Sequence, residues 1–289
     1  MIKSLTSLRG IFILFIFLHH CLNLYPGGGS MAVAFFFVLG GYSMTLGYYD
    51  RVLKTDFNYR QYLLRRYVKF YPLHWICMLF AVPLMVLLKE KFNFSILLAN
   101  ASLLQTWIPL RDYYFSFNWV SWYLANTIFF AIVFPVVFKL IVKTSNFFKI
   151  LITVSFVAIY IFILYFLPPE EYHTFLYISP YIRLTDFIFG IFLALLFIKF
   201  KESDYIRQFV FFKYNSISNS IIAVLIILLV IESCLLDKNI RLIAPLYWPM
   251  VALLILLSSL SDSGGAYYQK VVCFRDLVNL ALLFFLSIN

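Results

Sequence analysis

The chain has 289 residues, of which 63% are hydrophobic, 21% aromatic and only 12% charged. A soluble domain is about 45–50% apolar and about 25% charged, and one globular core of this size cannot hide such an excess because its surface must stay polar; a soluble enzyme, a disordered protein and a coiled coil are disfavoured, which leaves a polytopic membrane protein. The net charge of +10 comes from Lys and Arg set between apolar runs, a pattern that reports orientation in a membrane and not a nucleic-acid partner.

Residues 10–49 contain no Asp, Glu, Lys or Arg, room for two crossings of about 20 residues each. Tyr25-Pro26-Gly27-Gly28-Gly29 supplies the turn between them. Lys3 and Arg9 resemble the basic start of a signal peptide, but no small-x-small cleavage pattern follows and a second apolar segment comes at once, so a retained helix is predicted. Further apolar runs cover 70–88, 113–138, 150–169, 187–198, 214–231, 242–260 and 277–289. The stretch 92–110 is broken by Asn93, Asn100, Gln105 and Pro109, and is predicted to be a short or re-entrant helix at the outer face. Nine spans follow, the last poorly formed. With the N-terminus inside, 17 Lys and Arg fall in inner segments and six in outer ones (Lys89, Lys91, Arg111, Arg183, Lys238 and Arg241). That bias orients the chain with a cytosolic N-terminus. Cys21, Cys77, Cys234 and Cys273 stand singly, as apolar fillers, with no metal-binding spacing.

The first helix carries the sharpest chemical signal. Arg9 and His20 are eleven residues apart; eleven steps of about 100° make three turns plus about 20°, so both project from one face, about 16 Å apart along the axis. This predicts Arg9 at the cytosolic interface and His20 near the bilayer centre, where an ionisable group is costly and usually functional. His19 lies about 80° off that face. The competing reading of His20 is a core histidine bonded to a neighbouring helix. The second helix contains Gly40-Gly41, which permits close backbone approach. On the third, Arg66 and Lys69 are i and i+3 and share a face. They can hold phosphate oxygens together with Arg9, or simply meet anionic lipid. His74 and Trp75 are predicted interfacial anchors.

These stretches together resemble the acyltransferase-3 family of integral membrane acyltransferases. The likeness runs through Leu8-Arg9-Gly10 with its spacing to His20, then Phe36-Phe37-Val38-Leu39-Gly40-Gly41-Tyr42, then Arg65-Arg66-Tyr67-Val68-Lys69-Phe70-Tyr71-Pro72-Leu73. Trp122-Tyr123-Leu124 through Phe134-Pro135, and Ser179-Pro180-Tyr181-Ile182-Arg183-Leu184-Thr185-Asp186-Phe187 with Gly190, extend it over nearly the whole chain. Departures are equally specific. Lys69 stands where the family has a second arginine, Thr127 where many members carry a glutamate, and Asp186 where Glu is commoner. Cys273-Phe274-Arg275-Asp276-Leu277 departs from the family's ninth helix, and no tenth is expected.

The resemblance implies an all-α polytopic membrane helix bundle of about nine to ten transmembrane helices, a single membrane-embedded acyltransferase domain over 1–289. It implies transfer of an acyl group, usually acetyl, from acyl-CoA as co-substrate to a hydroxyl of a cell-surface glycan or lipid-linked sugar. The setting would be the bacterial inner membrane, among membrane lipid, with no nucleic acid, bound cofactor or metal. His20 would be the catalytic base, Arg9, Arg66 and Lys69 would bind acyl-CoA, and Tyr42, Trp122, Arg183 and Asp186 are supporting candidates. Two alternatives stand beside this: a glycan or lipid transporter in which His20 relays protons, and an inactive member with an unfinished C-terminal end.

Overall fold

The computed structural model describes residues 3–21, 28–87, 93–202 and 215–262. Among them lie ten α-helices and no strand: α1 (Lys3–Cys21), α2 (Gly28–Leu53), α3 (Tyr59–Leu87), α4 (Phe94–Ala101), α5 (Arg111–Tyr114), α6 (Ser121–Val142), α7 (Asn146–Phe166), α8 (Pro180–Glu202), α9 (Asn215–Leu235) and α10 (Trp248–Asp262). A π-helical turn, His173–Ile178, precedes α8. The all-helical expectation holds because lipid offers no partner for backbone N–H and C=O groups, and a helix satisfies them internally.

Five of the described helices are long and apolar enough to cross a membrane: Ser4–Cys21, Gly29–Leu53, Ser121–Val142, Asn146–Phe166 and Pro180–Lys201. Two apolar helices are shorter, Ser220–Leu235 and Trp248–Leu260. α3 has length to spare, but its first half carries Arg60, Arg65, Arg66 and Lys69. The nine predicted crossings are therefore not all found as long apolar helices among the described residues. The predicted last span, 277–289, lies outside them.

Packing groups the described residues into two units, one of those up to Leu46 with those from Asp186 onward, and one of those in Gly47–Thr185. In the first unit, α1 lies against α10, where the Ser4 hydroxyl donates to the Ser258 carbonyl at 2.6 Å. Phe12 of α1 stacks on Phe35 of α2, ring centroids 3.7 Å apart, and both are fully buried. α2 and α8 cross closely. A Cβ on Gly41 would collide with the Phe187 carbonyl oxygen, and one on Gly190 with the Val38 carbonyl oxygen. Small residues of this kind let membrane helices gain dispersion contact where no hydrophobic effect drives them together.

In the second unit, α3 packs on α6. Pro135 lies inside α6 and has no N–H to offer the carbonyl four residues earlier. That carbonyl belongs to Ala131, and the Tyr62 hydroxyl donates to it at 2.8 Å. Tyr59 does the same for Ile132, also at 2.8 Å. α7 is apolar around its circumference and buries only Tyr160, as a helix bathed in lipid should.

The broken stretch 92–110 is not one long helix. Its polar residues are the reason. Asn93 caps α4, its Oδ1 accepting from the Ser95 N–H at 2.9 Å. The buried Asn100 amide donates to the carbonyls of Ile96 and Tyr113, at 3.0 and 2.9 Å. Buried Gln105 donates to the Ser121 hydroxyl at 3.0 Å. Leu103 turns the chain with φ 57°, a left-handed conformation that ends a helix. The prediction for His74 is corrected here. It is buried, with Nε2 2.9 Å from the Asn100 carbonyl, while Trp75 beside it is exposed. The Asn100 carbonyl gives the imidazole a partner inside the protein, so it has no need of an interface.

Candidate active site

The predicted site residues divide between the units. Arg9, His20, Tyr42 and Asp186 belong to the first, and Arg66, Lys69, Trp122 and Arg183 to the second.

Arg9 and His20 share one uninterrupted helix, as their spacing requires. Arg9 is half-buried, and its Nη2 donates to the Ser43 hydroxyl of α2 at 2.9 Å. This charge-assisted bond orients the guanidinium. The charge-free run begins at Gly10, but the helix begins at Lys3 and the candidate crossing is Ser4–Cys21. His20 stands in the last turn of α1 and is exposed. Its neighbour differs sharply. The His19 ring lies against the start of α2, where a Cβ on Gly29 would come within 2.8 Å of His19 Cδ2. The two imidazoles meet edge to face, 4.8 Å between centroids.

Tyr42 is fully buried, its ring 5.9 Å from that of Phe197. Asp186 is also fully buried, and the Trp248 indole N–H donates to its Oδ1 at 2.7 Å. Trp248 in turn stacks on Phe189 at 4.7 Å. In the first unit, then, Asp186 anchors α10 to α8.

In the second unit, Arg66 lies over two rings, 5.0 Å from the centroid of Tyr48 and 5.6 Å from that of Tyr62. Lys69 is exposed, with Nζ 5.2 Å from the Phe70 ring. Cation–π contact restrains the Arg66 guanidinium between these rings, whereas Lys69 is an exposed point charge. Trp122 and Arg183 meet at a residue the sequence did not single out. The Trp122 ring is 4.8 Å from that of Tyr177, and the Arg183 guanidinium is 5.6 Å from the same ring. Burial pushes the Tyr177 hydroxyl up to about 12, with the Arg183 cation working against it. His173, at the start of the π-helical turn, sits 5.2 Å from Tyr177 and 5.4 Å from Phe115. Burial, helped by the Arg111 cation, lowers its pKa to about 4.

Tyr48, Tyr62, His173 and Tyr177 were missed from the sequence. For Tyr62 a signal existed, since it precedes Arg66 by four residues on one helix. For His173 none did: a lone histidine in a polar connection has no periodicity to read.

The chain matches the family described as an acyltransferase domain over residues 2–287, a match that runs through both units. It belongs to this acyltransferase-3 family of integral membrane proteins. Acyltransferase MdmB of Streptomyces mycarofaciens is 32% identical over 120 residues, 40% of this chain. The matched stretch spans only 30% of that relative's length. No solved structure matches the chain.

Proposed function

We propose that this protein is an O-acyltransferase of the bacterial cytoplasmic membrane. It moves an acyl group, acetyl in the first instance, from acyl-CoA to a hydroxyl of an exported or cell-surface glycan, free or lipid-linked. Family membership over nearly the whole chain supports acyl transfer. The observation that carries the site is the pairing on α1 of Arg9, oriented by Ser43, with an exposed His20 in the last turn. The excess of Lys and Arg in the segments around 1–9 and 50–69 supports a cytosolic N-terminus.

In this reading His20 takes the proton from the acceptor hydroxyl as its oxygen attacks the thioester carbonyl. The carbon–sulfur bond breaks, the new ester leaves, and the imidazolium returns its proton to the CoA thiolate. Acyl-CoA is consumed as a co-substrate, and the chemistry calls on no resident metal or cofactor. Arg9, Arg66 and Lys69 are the donor-binding cations that the sequence resemblance supplies.

The test is radiolabelled acetyl-CoA supplied to the full chain in nanodiscs, with envelope glycan as acceptor. Label is expected in the glycan, with His20→Ala reducing the rate about 100- to 10,000-fold, the range for a lost general base. Glycan that crosses a sealed membrane while the label stays in acetyl-CoA would instead identify a transporter.

A further inference from the structure

Two connections of the second unit take no part in that chemistry, yet they gather aromatic rings and costly backbone in one place. Residues 111–119 and 173–178 both belong to that unit. Each precedes a candidate crossing, Ser121–Val142 or Pro180–Lys201, and the Lys and Arg bias predicts the outer side for both. Phe117 holds φ 56°, a left-handed conformation that a bulky residue rarely adopts. His173–Ile178 is wound as a π-helical turn. Strained backbone and π turns gather at ligand sites.

The turn at Phe117 brings Phe115 and Trp119 together, ring centroids 6.1 Å apart and 31° from parallel. Phe115 in turn lies 5.4 Å from the His173 ring, so three rings from two segments form one surface. Trp119 is its open end, 62% exposed, with Phe115 and His173 half-buried behind it. Tyr114 and Thr174 tie the two segments, their hydroxyls 2.9 Å apart. Arg111 and Asp112 stand exposed on α5, which leads into the turn; one brings only donors and the other only acceptors. Burial, with the Arg111 cation, holds the His173 pKa at about 4, so at neutral pH its imidazole can both donate and accept.

An interfacial anchor needs only an amphipathic ring at headgroup level, with neither a strained turn nor further rings packed beside it. A ring surface bordered by donors and acceptors matches a pyranose instead, whose faces are C–H and whose rim is hydroxyl. Polarised C–H groups meet the negative face of an aromatic ring, and the hydroxyls need partners of both kinds. Resting on the glycan reading above, we infer that Trp119, backed by Phe115 and His173, is the stacking platform for a pyranose ring of the acceptor glycan. Arg111 and Asp112 bond its hydroxyls. Selection of the acceptor then rests on residues of the second unit that bind glycan and leave the acyl donor alone.

The full chain in nanodiscs, supplied with radiolabelled acetyl-CoA and envelope glycan, gives a KM for each substrate. Trp119→Ala is expected to raise the glycan KM about threefold to tenfold, with kcat and the acetyl-CoA KM unchanged. Trp119→Phe, which keeps a ring, should restore most of the loss. Trp75→Ala, at another exposed tryptophan, should change neither KM. Saturation-transfer NMR of oligosaccharides cut from the same glycan reads binding without chemistry: irradiating the aromatic protons should saturate sugar C–H protons on the parent and not on Trp119→Ala. If the parent transfers label and Trp119→Ala keeps both the glycan KM and the saturation, this inference falls and the acyltransferase reading stands. Saturation that Trp119→Ala abolishes, in a parent that transfers no label, keeps the platform and removes acyl transfer. A parent with neither removes both. If Trp119→Ala and Trp75→Ala lower kcat alike with the glycan KM intact, Trp119 is a membrane anchor and the inference is overturned.

Discussion

Two adjacent histidines end α1 under different constraints. His19 fills space beside Gly29, and His20 is exposed. His19→Ala is expected to lower the thermal stability of the detergent-solubilised protein with kcat/KM changed only a few-fold. His20→Ala should retain the melting temperature and lose transfer. Equal losses of activity at matched membrane abundance would remove His20 from the catalytic role. Arg66 and Lys69 differ in a parallel way. The Arg66 guanidinium is placed by the Tyr48 and Tyr62 rings, so Arg66→Lys, which loses the planar fork, should weaken acetyl-CoA affinity. Lys69 projects from an exposed site, and Lys69→Arg should be tolerated or slightly favourable. Titration of acetyl-CoA into the two variants compares them directly.

At the scale of elements, the α2–α8 crossing separates two neighbouring glycines. Gly41 has a carbonyl in the path of any Cβ, whereas the nearest atom to a Cβ on Gly40 is a Phe187 ring carbon at 3.8 Å. Gly41→Ala and Gly190→Ala are each expected to destabilise the fold by about 1–3 kcal/mol through overpacking. Gly40→Ala should be neutral or mildly stabilising, since alanine favours the helix by up to about 1 kcal/mol. Thermal unfolding in detergent distinguishes them. The π-helical turn makes a pH prediction. His173 has its pKa lowered from 6.5 to about 4, so between those values the unfolded chain binds a proton that the folded chain refuses. Stability from this site is present above pH 6.5 and drains away as pH falls towards 4. Melting temperature should decline over that window, and His173→Gln should flatten the decline.

For the whole molecule, orientation is the expectation on which the site reading turns. Cysteine placed at Thr55 and at Glu170, both exposed, can be labelled in intact cells with an impermeant thiol reagent. Glu170→Cys should label and Thr55→Cys should not. The helical class was legible because apolar runs and the lack of backbone partners in lipid leave few other solutions, and the placing of Arg9 and His20 on one helix was legible because no proline stands between them. The start of α1 was not, since the charge-free run begins at Gly10 and the helix already at Lys3. His74 was misplaced because its partner, the Asn100 carbonyl, lies 26 residues away on another element. The tyrosines around Arg66 went unread for a similar reason, since Tyr48 comes from α2 and only packing brings it to α3.

The bond from Tyr62 to Ala131 ties the fate of two distant positions. Position 135 withholds a donor and position 62 lends one, so evolution and mutagenesis cannot treat them as separate choices. With proline at 135, Tyr62→Phe strands a buried carbonyl and should cost about 1–3 kcal/mol. With Pro135→Ala, the backbone N–H of residue 135 returns to Ala131, and the same loss of a hydroxyl should become nearly silent. A double-mutant cycle on unfolding free energy is therefore expected to show a coupling of about 1 kcal/mol or more, and strictly additive effects would mean that the borrowed donor contributes nothing.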